Sequence, residues 1–214
     1  MSATVLEARE VAFGYTAGVP VLEGWSAQFA AGSMTALTGP SGRGKSTLLY
    51  LLGLMLRPSK GEILVDGHVV SGERDAVRAH LRARQFGFVF QDAALDSSRT
   101  VLDNVTETAL YRGENRHDVE PDALRLLERF GVDVPADRKP GQVSGGQAQR
   151  IALCRALLGT PAILLADEPT GNLDPSTTLV VVDAMRAHAA DGGTVVIVTH
   201  SPEVAGACDE EIFL

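Results

Sequence analysis

Gly39-Pro40-Ser41-Gly42-Arg43-Gly44-Lys45-Ser46-Thr47 is the stretch on which the fold turns. It fits G-x-x-x-x-G-K-[ST] at every fixed position. Small residues let backbone N–H groups turn inward around phosphate oxygens. A helix starting at Lys45 would add the partial positive charge of its N-terminus. In such a loop Lys45 reaches the β- and γ-phosphates, and the Ser46 hydroxyl ligates Mg²⁺. Arg43 fills a free position, either adding to phosphate attraction or facing solvent. The flanks suit the motif. Met34 to Thr38 reads as a strand, and Lys45 to Leu56 is apolar on every side, as in a helix buried within a domain.

A bound nucleoside triphosphate needs a second group for the metal and something to orient water. Ala162-Ile163-Leu164-Leu165-Ala166-Asp167-Glu168 supplies both. Asp167 ends a buried apolar strand, where a Mg²⁺-linked Asp is expected. Glu168 follows directly and suits a general base for attacking water.

Further out, Val5 to Phe13 and Ser26 to Phe29 read as strands. Gly61 to Val70 reads as a hairpin turning at Asp66-Gly67, and Phe86 to Phe90 as a short strand. Val101 to Phe130 is helical in character, with Ala123, Leu124, Leu126, Leu127 and Phe130 at helical spacing, and Gly131 ends that helix. Ser144 is placed as the N-cap of a helix reaching about Leu158. Asp174 to Ala190 reads as a helix, and Thr194 to Thr199 as a buried strand. Strands joined by crossover helices predict an α/β fold with a mostly parallel sheet. One domain, 1–214, is expected, with its core at about 1–91 and 159–214 and a helical lobe inserted at about 92–158.

Composition narrows the class. Of 214 residues, 45% are hydrophobic and 21% charged, as in an ordinary folded domain. The net charge of −8 opposes a phosphate-backbone grip, so no nucleic-acid partner is expected. The greasiest run, Leu48 to Leu56, is about half the length that crosses a bilayer. Met1 to Glu10 lacks the pattern of a signal peptide. Cys154 and Cys208 cannot build a disulfide framework and are spaced for no metal site. They read as idle or buried thiols, and His68, His80, His117 and His188 as surface residues.

Val143-Ser144-Gly145-Gly146-Gln147, followed by Gln149-Arg150, resembles the signature of ATP-binding-cassette ATPases. The resemblance spans about Leu6 to Leu214, with the motifs in the family's order. Gln91 matches the glutamine after the short strand. Gly171-Asn172-Leu173-Asp174 matches the loop carrying the family's dimer-contact Asp. His200 matches the switch histidine, and Tyr15 the aromatic that stacks on adenine. The signature begins with Val143 where Leu is usual.

The resemblance implies a P-loop NTPase core, an N-terminal antiparallel β subdomain and an inserted α-helical subdomain. It implies ATP and Mg²⁺ as ligands, with ATP held by Tyr15 and residues 39–47. It implies a homodimer clamping two ATP molecules head to tail. Ser144, Gly145, Gly146 and Gln147 of one copy would then face the ATP of the other, with Asp174 as a dimer contact. Ser46, Gln91 and Asp167 would serve Mg²⁺. Glu168, His200, Gln91 and Lys45 would carry the hydrolysis. The polar segment from Asp92 to Thr100 falls where the family docks on its membrane subunit.

Leu164 to Asp174 is most similar to one group: lipoprotein-release, macrolide-efflux, haem-efflux, peptide-export and cell-division ATPases. Such a chain would be the ATP-hydrolysing subunit of an export complex. It would sit on the cytoplasmic face of the inner (plasma) membrane through a separate integral-membrane permease subunit. A mechanical, non-transport role of the cell-division kind is the alternative.

Overall fold

The computed structural model describes residues 4–16, 18–171 and 173–214. Asn172, part of the expected dimer-contact loop, lies outside the described residues.

Two sheets organise the chain. The first is antiparallel and runs β2-β1-β4-β5. It comprises β1 (Thr4–Phe13), β2 (Leu22–Ala30), β4 (Lys60–Val65) and β5 (His68–Val69). The hairpin from β4 to β5 turns at Asp66-Gly67, both left-handed at φ 50° and 75°, as a two-residue turn requires.

The second sheet is parallel in every pairing and runs β6-β7-β8-β3-β9. Its strands are β3 (Met34–Thr38), β6 (Phe86–Val89), β7 (Ile163–Asp167), β8 (Thr194–Val198) and β9 (Glu210–Phe213). Every residue of β7 and β8 is buried, which is why both read as continuous apolar runs. Alternation then sorts side chains to the two faces. Ile163, Leu165, Val196 and Val198 meet Leu48, Leu51 and Leu52 of helix α1 (Lys45–Leu52). Leu164, Ala166, Val195 and Ile197 meet Ile151 of α5 (Gly145–Leu157) and Met185 of α6 (Pro175–Ala190). Each such side chain contributes about 1.5–3 kcal/mol on burial.

The helix expected over Lys45 to Leu56 stops at Leu52. Gly53 caps it and Leu54 turns left-handed, at φ 59°. Helix α2 (Asp75–Gln85), which the sequence reading lacked, holds this broken end. Arg82 Nη1 donates to Leu54 O at 2.7 Å, and Arg78 Nη1 to Leu56 O at 3.2 Å. The long helix expected over Val101 to Phe130 is two helices, α3 (Val101–Arg112) and α4 (Arg116–Arg129). Gly113, at φ 74°, ends the first, and Asn115 caps the second by accepting from His117 N. The strand expected to Phe90 ends at Val89. Helix α7 (Pro202–Gly206) and edge strand β9 are further elements that the sequence reading missed.

Burial raises both thiols, Cys154 to about 12 and Cys208 to about 11, so neither is a thiolate at neutral pH. His68, His80 and His117 are exposed, but His188 is not a surface residue. It packs against Gly193 with its buried Nε2 unpartnered, and desolvation lowers its pKa.

Helix α5 lies so close to β6 that a methyl group at Gly87 would sit 2.3 Å from Ala156 O. Gly87→Ala should therefore cost about 1–3 kcal/mol through overpacking, read as a lower urea midpoint. An unchanged midpoint would mean that the contact is loose.

Candidate active site

Parallel strands place their carboxyl ends on one edge, and β3, β8 and β7 are neighbours there. The loop after β3, the Asp167-Glu168 end of β7 and His200 just after β8 therefore converge on one open cleft of about 940 Å³. Ser41, Gly42, Gly44, Lys45, Ser46 and Thr47 line it together with Tyr15, Gln91, Asp167, Glu168 and His200. Gly39, Pro40 and Arg43 form the loop but not the wall, and Arg43 is exposed to solvent.

The loop's geometry accounts for its composition. Gly44 is left-handed, at φ 86°, and is the N-cap of α1. No side chain caps that helix and its first turn carries no acid, so its leading N–H groups are free for an anion. Lys45 Nζ donates to Gly39 O at 2.8 Å and to Pro40 O at 2.9 Å, a grip that pre-shapes the loop.

Ser46 Oγ donates to Asp167 Oδ1 at 3.1 Å. Asp167 is 5% exposed, and desolvation raises its pKa, opposed by hydrogen bonds from Ser46 and Tyr50 and by the Lys45 charge. Among the described residues no basic side chain lies within ion-pair distance of Asp167. A buried carboxylate beside a hydroxyl is an all-oxygen set that fits a hard divalent cation. No group of three or more His, Cys, Asp and Glu able to hold a metal exists among the described residues. Phosphate and water oxygens would have to complete the shell, as Mg²⁺ prefers.

Glu168 departs from strand geometry with φ 45°, left-handed without being glycine. Its Oε1 is buried and accepts no hydrogen bond. His200 N donates to Oε2 at 3.3 Å, and His200 Nε2 stands 3.5 Å from Oε1. The pair thus sets a largely buried carboxylate, with one oxygen lacking a donor, beside a half-exposed imidazole at the cleft. Tyr15 is 66% exposed at the rim, edge-on to Phe13, and its hydroxyl lies 3.2 Å from Thr47 Oγ1. The sequence reading did not name Tyr50, whose hydroxyl faces Asp167.

The remaining expected residues lie beside the cleft and not on its wall: Gly145 lines a small neighbouring pocket with Gln91 and Glu168, and Asp174 stands between the cleft-lining Leu173 and Pro175. Ser144, Gly145, Gly146 and Gln147 do not line the cleft that holds Lys45. Ser144 is the N-cap of α5. Its Oγ accepts from Gln147 N at 3.2 Å, and its N donates to Gln147 Oε1 at 2.8 Å. That reciprocal pair was legible as S-x-x-Q. Gly145 is exposed with open space around it. Asp174 caps α6 and accepts from Ser176 N and Thr177 N, each at 3.0 Å, and from both hydroxyls. Those donors hold its carboxyl far below the usual range.

Residues 22–171 match the ABC transporter family. The chain belongs to that family. It is 42% identical to the lipoprotein-releasing system ATP-binding protein LolD of Bordetella pertussis, over 92% of this chain and 86% of that one. An uncharacterized ABC transporter ATP-binding protein of Thermotoga maritima is also 42% identical, over 89% of this chain and 82% of that one. A dimeric ABC transporter cassette superposes with a TM-score of 0.91 at 33% identity, covering 98% of this chain and 94% of that one. A dimeric cassette in a post-hydrolysis state, bound to ADP and Pi, gives 0.87 at 32% identity over the same shares. As a member of the family, the chain is an ABC ATPase with the family's P-loop fold. Among its described residues no helix is long and apolar enough to cross a membrane.

The raised Asp167 carboxyl makes a signed prediction. A carboxyl whose pKa rises on folding lowers stability as pH climbs from its ordinary to its raised value. Asp167→Asn should raise the thermal midpoint of the nucleotide-free chain at neutral pH. The gain should vanish in acid, below the ordinary carboxylate range. A lower midpoint at neutral pH would contradict the desolvated carboxylate.

Proposed function

We propose that the cleft binds ATP with Mg²⁺ and that this chain hydrolyses it as one half of a head-to-tail homodimer. The dimer would drive a separate membrane subunit in an export complex of the lipoprotein-releasing kind. One observation carries the dimeric reading. Groups suited to triphosphate and water share a cleft, while the exposed anion-ready start of α5 at Ser144 lies outside it. Two copies placed head to tail would complete both sites.

In this reading the N–H groups of residues 42–47 and the Lys45 ammonium hold the β- and γ-phosphates. Ser46, Asp167 and Gln91 hold the metal, whose charge offsets that developing on the phosphates. Glu168 accepts the proton of the attacking water on its carboxylate. The backbone N–H of His200 fixes one carboxylate oxygen, and its ring holds the γ-phosphate. Tyr15 offers an exposed ring for the adenine. From the partner copy, the N–H groups and hydroxyl of the Ser144 segment add positive potential at the γ-phosphate, with Asp174 at the seam.

The organisation into a core at about 1–91 and 159–214 and a helical lobe at about 92–158 belongs to this proposal. So does membrane attachment through the partner subunit, on the cytoplasmic side. The LolD relatives support lipoprotein release over the other cargoes of the group.

Glu168→Gln should keep ATP affinity but lower kcat by about 10²–10⁴-fold, the span of general-base loss. With ATP present, that variant should run as a dimer in size-exclusion chromatography. Turnover at the unmodified rate would remove Glu168 from the role of base. Purification from detergent should yield a co-eluting membrane subunit, and its repeated absence would overturn the export-complex reading.

A further inference from the structure

Gln91 is exposed at the cleft, and the backbone that follows it is strained. Ala93 and Ala94 are both left-handed, at φ 61° and 45°. Two successive non-glycine residues hold that conformation only where their surroundings over-determine it. The surroundings here are α5. Arg155 Nη2 donates to Ala93 O at 2.8 Å, and Arg155 Nη1 to Ala94 O at 2.7 Å. Gln149, earlier on the same helix, donates from Nε2 to Phe90 O at 3.0 Å. Ala93 N donates to Phe90 O at 3.1 Å, closing the turn. The turn that carries Gln91 is thus gripped on both sides by one helix.

Arg155 is 8% exposed, and among the described residues it forms no ion pair. Desolvation lowers its pKa. A buried cation must find hydrogen-bond acceptors, and these two carbonyls are the ones that the left-handed pair aims at it. The planar fork of an arginine spans two adjacent carbonyls, as the compact ammonium of lysine does not.

We propose that Arg155 is a positioning residue for ATP hydrolysis. Its fork on the Ala93 and Ala94 carbonyls fixes the turn that presents Gln91 to the cleft. It also ties that turn to the helix whose first turn is capped by Ser144. The proposal rests on the ATPase reading above. It goes beyond that reading in making Gln91 and the Ser144 segment move as one body through α5. Without the fork the two alanines relax toward ordinary backbone angles and Gln91 leaves its place. The triphosphate loop is untouched, so the loss falls on kcat and not on KM.

The test is steady-state ATPase on the purified full chain carrying Gln91→Ala, Arg155→Gln, or both. Arg155→Gln should lower kcat by about tenfold or more, with KM for ATP within about twofold. The double variant should be no slower than the slower single one, because both act on one group. Losses that multiply, a normal kcat in Arg155→Gln, or a change in KM alone would overturn the proposal. If circular dichroism shows Arg155→Gln unfolded, Arg155→Lys takes its place in the same cycle, with a smaller loss and the same coupling expected. A slow Gln91→Ala beside a normal Arg155 variant overturns the strut and leaves Gln91 in its role. A normal Gln91→Ala overturns both. Absence of ATPase from the unmodified chain fails the proposed function itself.

Discussion

The parallel pairing of β3, β8 and β7 is the constraint from which the rest of the molecule follows. Parallel strands need crossover helices, and those helices bury both faces of the sheet, so β7 and β8 become apolar throughout. Because all three strands point one way, whatever follows them gathers at one edge. That geometry brings Lys45, Asp167 and His200 together although more than a hundred residues separate the first from the other two. Charge placement follows as well. In the proposed function the polyanion is met by local N–H groups and one lysine, so a chain of net charge −8 can still carry it.

Three of the seven left-handed non-glycine residues among the described residues lie near this edge. Glu168, Ala93 and Ala94 are left-handed without being glycine, and all three lie beside residues that line the cleft or line it themselves. At Glu168 the twist breaks away from the strand and leaves a carboxylate oxygen without a donor. At Ala93 and Ala94 it aims two carbonyls at a buried guanidinium. Such conformations persist only where packing and hydrogen bonds hold them, and here α5 and β8 supply both. The exposed start of α5 sits outside the cleft. The proposed homodimer would set that start against the cleft of the second copy.

The sequence made the cleft legible because phosphate and metal chemistry dictate residue types locally. The glycine-rich loop, the Asp-Glu pair after an apolar run and the Ser144 cap each need only neighbouring residues to be read. The Gly113 to Asn115 break carried its signals too, a C-terminal glycine and an asparagine cap. The apolar period that marks a helix lies only beyond them, at Ala123, Leu124, Leu126, Leu127 and Phe130, and one helix was read across the whole stretch. Other features had no local trace. Helix α2 is held by arginines bonding to carbonyls 22 and 28 residues away. Arg155 reaches carbonyls 61 and 62 residues away. A polar side chain serving a distant backbone atom leaves no period in the sequence. Strand β9 offers two glutamates and a single partner strand, too little alternation to read. His188 looked like an ordinary surface histidine because the groups beside it, Gly193 and Pro161, lie outside its own helix.

The central claim is that one chain holds half of each catalytic site. Specific ATPase activity across a wide dilution series, with molar mass followed by light scattering, tests it most directly. A half-site chain loses specific activity as it is diluted, in step with the disappearance of the dimer. A monomer that keeps full activity per chain would contradict the claim.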